Sequence, residues 1–330
     1  MEVELTDGGW LSASLCSQLA PYGLNISTQA GLFRSFAYNA AGSVWLGEMS
    51  SIICGKVDSY SQVANDVHLY CCSIGRYSTI GAYCDLGLAN HSISALSMAN
   101  AMNADSTFKI ITPKMQCRPE RYKENRGDYL APITIGNDVY IEPWCMTAKG
   151  VTIGDGAIIK ANTFITKDVP PYAIVAPGDR GSKIIGYRFN DEIIADLMAI
   201  KWWEYDIPAM LNQGMAVPLH NIAAFIEFMR LAPHDGFPRL PARWRYLTRK
   251  NQDYVTLYDV TPDCHVIKLS PRFLDPAYIA EAQEELLKQT QYQNLRQAFH
   301  IPNELNGSKG LVLRTQEEAT TVTAAQDIAQ

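Results

Sequence analysis

No stretch of this chain approaches the ~18–20 consecutive apolar residues of a membrane-spanning helix, so no span is expected. The N-terminus lacks a charged segment followed by an apolar one, the pattern of a secretory signal, and a cytoplasmic protein is expected. Paired Cys-x-x-Cys motifs are missing, so the eight cysteines predict small buried thiols rather than a zinc centre, and no metal is expected. Positive charge is also short. Lys and Arg number 28 against 34 Asp and Glu, a net charge of −6 with a pI near 5.6, which disfavours nucleic acid as a partner. What is left is an ordinary globular composition, 330 residues with 47% hydrophobic and 19% charged, enough for one to three domains.

Against that background a period of six stands out. From Ile74 the chain reads Ile-Gly-Arg-Tyr-Ser-Thr, Ile-Gly-Ala-Tyr-Cys-Asp, Leu-Gly-Leu-Ala-Asn-His. The beat returns at Ile135 (Ile-Gly-Asn-Asp-Val-Tyr) and is led onward by Ile141, Thr147, Ile153, Ile159 and Ile165. Neither a helix nor a simple strand repeats this way; six residues per step, aliphatic first and small fifth, predict a parallel β-helix. The leading side chain points into a narrow interior and stacks on the coil above, ~4.8 Å away. The fifth position also points inward, which explains Ser78, Cys84, Val139, Cys145, Ala157 and Thr163. Cys84 and Cys145 are therefore expected in the core rather than as nucleophiles. Upstream, Leu46, Ile52, Val57, Val63 and Leu69 lead steps of six or five, so 52–57 and 69–74 predict a bulged corner or a slipped register.

The predicted organisation has four parts. Residues 1–30, with a short helix over 11–20 ended by Pro21 and Gly23, cap the open end. Residues 31–178 form the coil, interrupted by a long excursion at about 92–132 that carries Lys109, Lys114, Arg118, Arg121, Lys123 and Arg126. Residues 179–213 hold a helix over 191–203, N-capped by Asn190, whose apolar face of Ile193, Ile194, Leu197, Met198 and Ile200 packs on the last coils. Residues 214–330 are an α/β or mostly helical extension of unassigned role: a helix over 221–231, strands 254–258 and 265–269 pairing with each other, a helix from Asp275-Pro276, and a tail frayed from about 306.

Five stretches, spanning about residues 45–207, resemble the hexapeptide-repeat acyltransferases, in particular the xenobiotic and sugar O-acetyltransferase branch. They are Ser73-Ile-Gly-Arg-Tyr-Ser-Thr-Ile-Gly; Asn90-His91 at the mouth of the excursion; Ile135-Gly-Asn-Asp-Val-Tyr-Ile; Gly154-Asp-Gly-Ala-Ile-Ile with Thr166-Lys-Asp-Val-Pro-Pro-Tyr-Ala-Ile-Val; and Tyr187-Arg-Phe leading to Trp202-Trp203. The resemblance implies a mainly β fold, a left-handed β-helix, assembled as a homotrimer with active sites in clefts between subunits. It implies acetyl-CoA or another acyl-CoA as co-substrate, and a glycan or small-molecule acceptor activated by a histidine at the start of the excursion. Asn90-His91 matches that position, with Asn90 on the acceptor side. Relatives pass the pantetheine chain close to small residues at the positions of Ala148, Ala161 and Thr166, and Lys167 and Lys183 match lysines that meet CoA phosphates. Tyr140 and Trp144 are placed beside the re-entry of the excursion, for stacking on a sugar ring or pantetheine or for outer-face packing. The sequence departs from the family at Tyr140, where many relatives have Trp, at Glu142 in place of Gly, and at Gly178-Asp-Arg-Gly-Ser-Lys183 in place of Gly-Asn-Pro-Ala-Lys.

A neutral imidazole can take a proton from a hydroxyl at physiological pH, and holding both substrates in one cleft supplies much of the rate. The leading expectation is O-acetylation of a capsule- or lipopolysaccharide-type sugar, or of a xenobiotic such as an antibiotic. N-acylation of an amino-sugar or nucleotide-sugar and a non-catalytic trimeric scaffold stand as alternatives. A zinc carbonic anhydrase on the same coil needs three histidines, and the predicted coil offers His68 and His91, of which His68 reads as an exposed or corner residue.

Overall fold

The structure, a computed structural model, describes residues 13–27, 36–53, 55–88, 132–179, 181–231, 236–251, 254–262 and 311–314. Its centre is a parallel β-helix with three flat sides, consistent with the left-handed coil implied by the repeats. The first side stacks Leu46, Val63, Ile80, Ile141, Ile159 and Val175 in register. The second stacks Ile52, Leu69, Leu86, Thr147 and Ile165. The third stacks Tyr38, Val57, Ile74, Ile135, Ile153 and Val169. All are buried, and so are the six small fifth-position residues from Ser78 to Thr163. The lead residue of each step faces inward and its predecessor faces out, because successive side chains alternate across a strand.

The two five-residue steps are neither bulges nor slips. Val57 pairs with Ile74 and Ile52 with Leu69, each partner 17 residues on, so both shortened corners fall on one edge, between the second and third sides. After the excursion the spacing is 18, as between Ile141 and Ile159. Cys71, with φ +50°, turns one of the tight corners in the left-handed region. The excursion departs from this same edge one coil later, after β10 (Asp85–Leu86) and before β11 (Ile133–Ile135).

The coil begins earlier than the repeats indicate. Helix α1 (Ala13–Leu19) ends in a short turn closed by Gly23, whose φ of +85° permits its N–H to reach Ala20 O. Strand β1 (Leu24–Ile26) then pairs with β3 (Val44–Leu46) as the outermost strand of the first side.

Beyond the coil, β17 (Ala173–Gly178) folds back on β18 (Gly181–Tyr187). Helix α2 (Asp191–Ile200) is capped by Asn190, whose side chain accepts from Ile193 N–H at 3.0 Å. It stops at Ile200, short of 203, because Lys201 takes φ +49° and a tight turn over Trp202–Glu204 follows. Helices α3 (Ile207–Asn212) and α4 (Ile222–Leu231) contribute to the same apolar cluster, which is separate from the coil interior. This segment clasps the edge between the third and first sides. Tyr60 and Tyr77 stack there at 5.2 Å, Trp202 lies 5.1 Å from Tyr77, Tyr60 OH donates to Asp206 at 2.9 Å and Arg188 pairs with Asp138 at 2.8 Å.

The expected strand over 254–258 is present among the C-terminal strands. Strand β20 (Tyr254–Val260) pairs with β19 (Trp244–Asn251) and β21 (Leu311–Arg314), while 265–269 lies outside the described residues. Strand β19 runs antiparallel against β2 (Phe36–Asn39), so the third side of the coil continues into this sheet. Buried Asn39 fixes the junction by donating to Asp58 at 2.8 Å and accepting from Arg243 N–H at 3.0 Å.

Candidate active site

Asn90 and His91 lie outside the described residues, but the chain leading to them is fixed up to Leu88. The N–H groups of Gly87 and Leu88 both donate to Thr147 O at 3.2 Å, and Gly87 N–H also meets Thr147 Oγ1 at 3.0 Å. Gly87 has φ +94°, and a Cβ there would stand 2.5 Å from Tyr70 O. Only glycine fits. Thr147 fills a lead position taken elsewhere on this side by Ile or Leu, and its hydroxyl explains the exception. It ties down Gly87 and Leu88, and the hexad pattern leaves it unmarked except by that break.

Three of the expected cofactor residues share this edge. Ala148 follows Thr147 and donates its N–H to Ile165 O at 2.8 Å. Thr166 and Lys167 are exposed on the coil above, and Asp168 beside them accepts Thr152 N–H at 2.7 Å. The other two lie elsewhere. Lys183 is exposed on β18, opposite Ala176 at the end of the first side. Ala161 sits on the edge between the first and second sides, where its N–H donates to Glu142 Oε2 at 2.9 Å. Lys160 also binds Glu142, and its ammonium together with the Ala161 N–H holds that carboxyl below the usual range. The Gly-to-Glu departure at 142 thus occupies a backbone donor.

Tyr140 and Trp144 do not flank the re-entry. Ile133 opens the third side, and because a hexad spans one side, Tyr140 falls on the first side and Trp144 on the edge beyond it. Both are exposed, Tyr140 at 42% and Trp144 at 56%. Trp144 stacks face to face on Tyr83, with centroids 4.3 Å apart and planes 15° apart.

A hexapeptide family model, that of bacterial transferases with six repeats, matches residues 132–167. Along 154 residues the chain is 34% identical to a chloramphenicol acetyltransferase of Agrobacterium fabrum, covering 46% of this chain and 71% of that protein. The chain belongs to the hexapeptide-repeat acetyltransferases. A galactoside O-acetyltransferase of Escherichia coli is 44% identical over 54 residues, covering 16% of this chain and 27% of that one. Among solved structures, a hexapeptide-repeat containing acetyltransferase from Vibrio cholerae is 20% identical with a TM-score of 0.28, covering 44% of this chain and 68% of that one.

In this acetyltransferase the described cysteines of the coil, Cys71, Cys72, Cys84 and Cys145, are buried. Cys84 and Cys145 are fully buried, with sulfurs 3.4 Å from Glu142 O and 3.2 Å from Lys160 O respectively. The hydrogen bond to Cys145 and burial push the Cys84 thiol up, away from the reactive thiolate. His68, expected as an exposed or corner residue, lies on a strand rather than a corner. It lies half-buried on the outer face of the second side, with Nδ1 2.6 Å from Ser51 Oγ. Register stacks Ser51, His68 and Asp85 in one outward column, continued by Met146 and Phe164. The 17-residue coil length is the sequence signal that would have found this column.

Proposed function

We propose that the protein transfers an acetyl group from acetyl-CoA to a hydroxyl of a sugar or glycan, with His91 as general base. One observation carries the reading: a single edge joins the pinned exit of the excursion, three residues before His91, to Ala148, Thr166 and Lys167. In this reading His91 takes the acceptor proton as the hydroxyl oxygen attacks the thioester carbonyl. The carbon–sulfur bond then breaks, and the imidazolium returns the proton to the departing CoA sulfur. Backbone N–H groups at the corner are the candidates for the oxyanion. The acetyl-bearing arm runs past Ala148 and Thr166, with Lys167 at a phosphate. Ala161 and Lys183, on other parts of the coil, fall to the far reaches of the cofactor, and Asn90 and Tyr140 to the acceptor. A homotrimer with sites between subunits belongs to the same reading, supported by the exposed apolar side chains Trp45, Ile184 and Ile185 on the first side and its β18 extension.

Likeness to a galactoside O-acetyltransferase favours a sugar. The much longer match to chloramphenicol acetyltransferase, 71% of that protein, favours a xenobiotic as the second reading. Release of free thiol from acetyl-CoA, with galactosides and chloramphenicol compared as acceptors, separates the two. His91→Ala is expected to lower kcat by about 10²–10⁴ with the trimer intact by light scattering. An unchanged rate removes His91 from the mechanism.

A further inference from the structure

The edge between the first and second sides is built like the edge that the helical segment covers, yet it is bare among the described residues. At the covered edge Tyr60, Tyr77 and Tyr172 take left-handed backbone and are met by Trp202, Tyr205 and Asp206. At the bare edge Met49, Asp66, Tyr83, Trp144 and Asn162 form the equivalent left-handed column. Backbone hydrogen bonds fix the order: Tyr83 N–H reaches Asn65 O, Trp144 N–H reaches Ala82 O and Asn162 N–H reaches Pro143 O. The stacked pair Tyr83–Trp144 therefore has a carboxylate neighbour on one flank and a carboxamide on the other. Two large aromatics in a sparsely populated conformation are left about half exposed, 48% and 56%.

The second side joins this edge to the excursion. Its outer face is mixed. Met146 and Phe164 expose apolar surface, whereas Asp85 and His68 offer polar groups. Among the described residues the Asp85 carboxylate makes no ion pair. Ser51 engages Nδ1 of His68, leaving Nε2 as the ring's remaining polar atom. From Tyr83 to Leu88 the chain takes five residue steps, a span of ~16 Å at the usual rise per residue. A pyranose presents an apolar C–H face and a rim of hydroxyls, and this floor matches both: aromatic rings for the face, and a carboxylate, an imidazole and a carboxamide for the rim. One ring is much shorter than the floor.

We infer that the second side is an acceptor-binding floor for a glycan of several sugar rings, with Tyr83 and Trp144 as the far subsite and the acetylated ring toward the Gly87–Leu88 end. The inference rests on the O-acetyltransferase reading and adds the acceptor's length and the residues that measure it. Tyr83, Trp144, His68 and Asp85 are specificity residues in this arrangement.

The test uses the full chain with maltotriose and chitotriose, each against its single-ring unit, following thiol release from acetyl-CoA. In the wild type kcat/KM for the trisaccharide exceeds that for the monosaccharide by about tenfold, the worth of one ring stacked on an aromatic pair. In Trp144→Ala and Tyr83→Ala that ratio falls to near one. A ratio that is already near one in the wild type, or that survives both substitutions, overturns the inference. So does a Trp144→Ala protein that loses its oligomeric state, because the edge is then a subunit contact. Indole fluorescence titrated with trisaccharide in the absence of acetyl-CoA separates the two claims. Saturable quenching that Trp144→Ala abolishes, without thiol release, keeps the floor and removes the transferase reading. Neither quenching nor thiol release removes both.

Discussion

Thr147 Oγ1 receives the N–H of Gly87 at 3.0 Å across two adjacent coils. A polar side chain at an interior lead position ties down the point where the chain leaves the coil. Thr147→Val keeps the shape and removes the hydroxyl. We expect a loss of about 1 kcal/mol in stability by denaturant titration and, under the proposed mechanism, a several-fold fall in kcat/KM, because His91 follows Gly87 by four residues in sequence. Gly87→Ala should cost more, since both its φ of +94° and the 2.5 Å approach to Tyr70 O exclude a Cβ. A variant that melts like the wild type would place the excursion's anchor elsewhere.

Glu142 holds the N–H of Ala161. A cofactor carbonyl that used this donor would first displace a charge-assisted hydrogen bond. Glu142→Gly frees it, and KM for acetyl-CoA is expected to fall roughly three- to tenfold, the worth of about one hydrogen bond. Steady-state kinetics at saturating acceptor measures this, and an unmoved KM takes Ala161 out of the cofactor's path.

Several tyrosines tie stability to alkaline pH. Burial pushes Tyr38 up to about 12. Burial, with Asp206 nearby, raises Tyr60 and Tyr77 as well. A phenol whose folded value is raised contributes stability that is fully present below its unfolded pKa of about 10 and is lost as pH rises toward the folded value. Melting temperature should therefore hold to about pH 10 and drop above it. Tyr60→Phe should lower Tm at pH 8, by losing the hydrogen bond to Asp206, while flattening the alkaline fall. Parallel melts from pH 8 to 11.5 would show both effects, and identical slopes would contradict the argument.

Buried thiols give a fourth expectation. Cys84 and Cys145 are fully buried, so iodoacetamide should leave both unmodified in the native protein and label both after denaturation. Peptide mass spectrometry reads the outcome, and rapid native labelling at Cys84 would mean the coil interior opens there.

The coil was legible because its interior is narrow. Each lead residue must stack on another, so Ile74, Ile135 and Ile153 show their register through repetition alone. The short corners at 52–57 and 69–74 read ambiguously because a missing residue becomes interpretable only once the two are seen on one edge. Strand β19 left no such trace. Trp244, Arg245, Tyr246 and Leu247 pair with β2, some two hundred residues away in sequence, a match set by the coil's unpaired rim rather than by local pattern. At the candidate site the mouth of the excursion could be read from sequence. The Tyr83–Trp144 stack could not, because the excursion separates two residues that the coil places on successive turns.

The antiparallel seam between β19 and β2 has one more consequence. A solenoid ends in a ledge of peptide groups oriented to accept another turn of the same direction, an invitation to grow into fibres. On its third side this protein answers with strands of opposite polarity, so a second solenoid arriving end-on finds that ledge already occupied. Chain length beyond the catalytic prism thus works as a terminator of stacking.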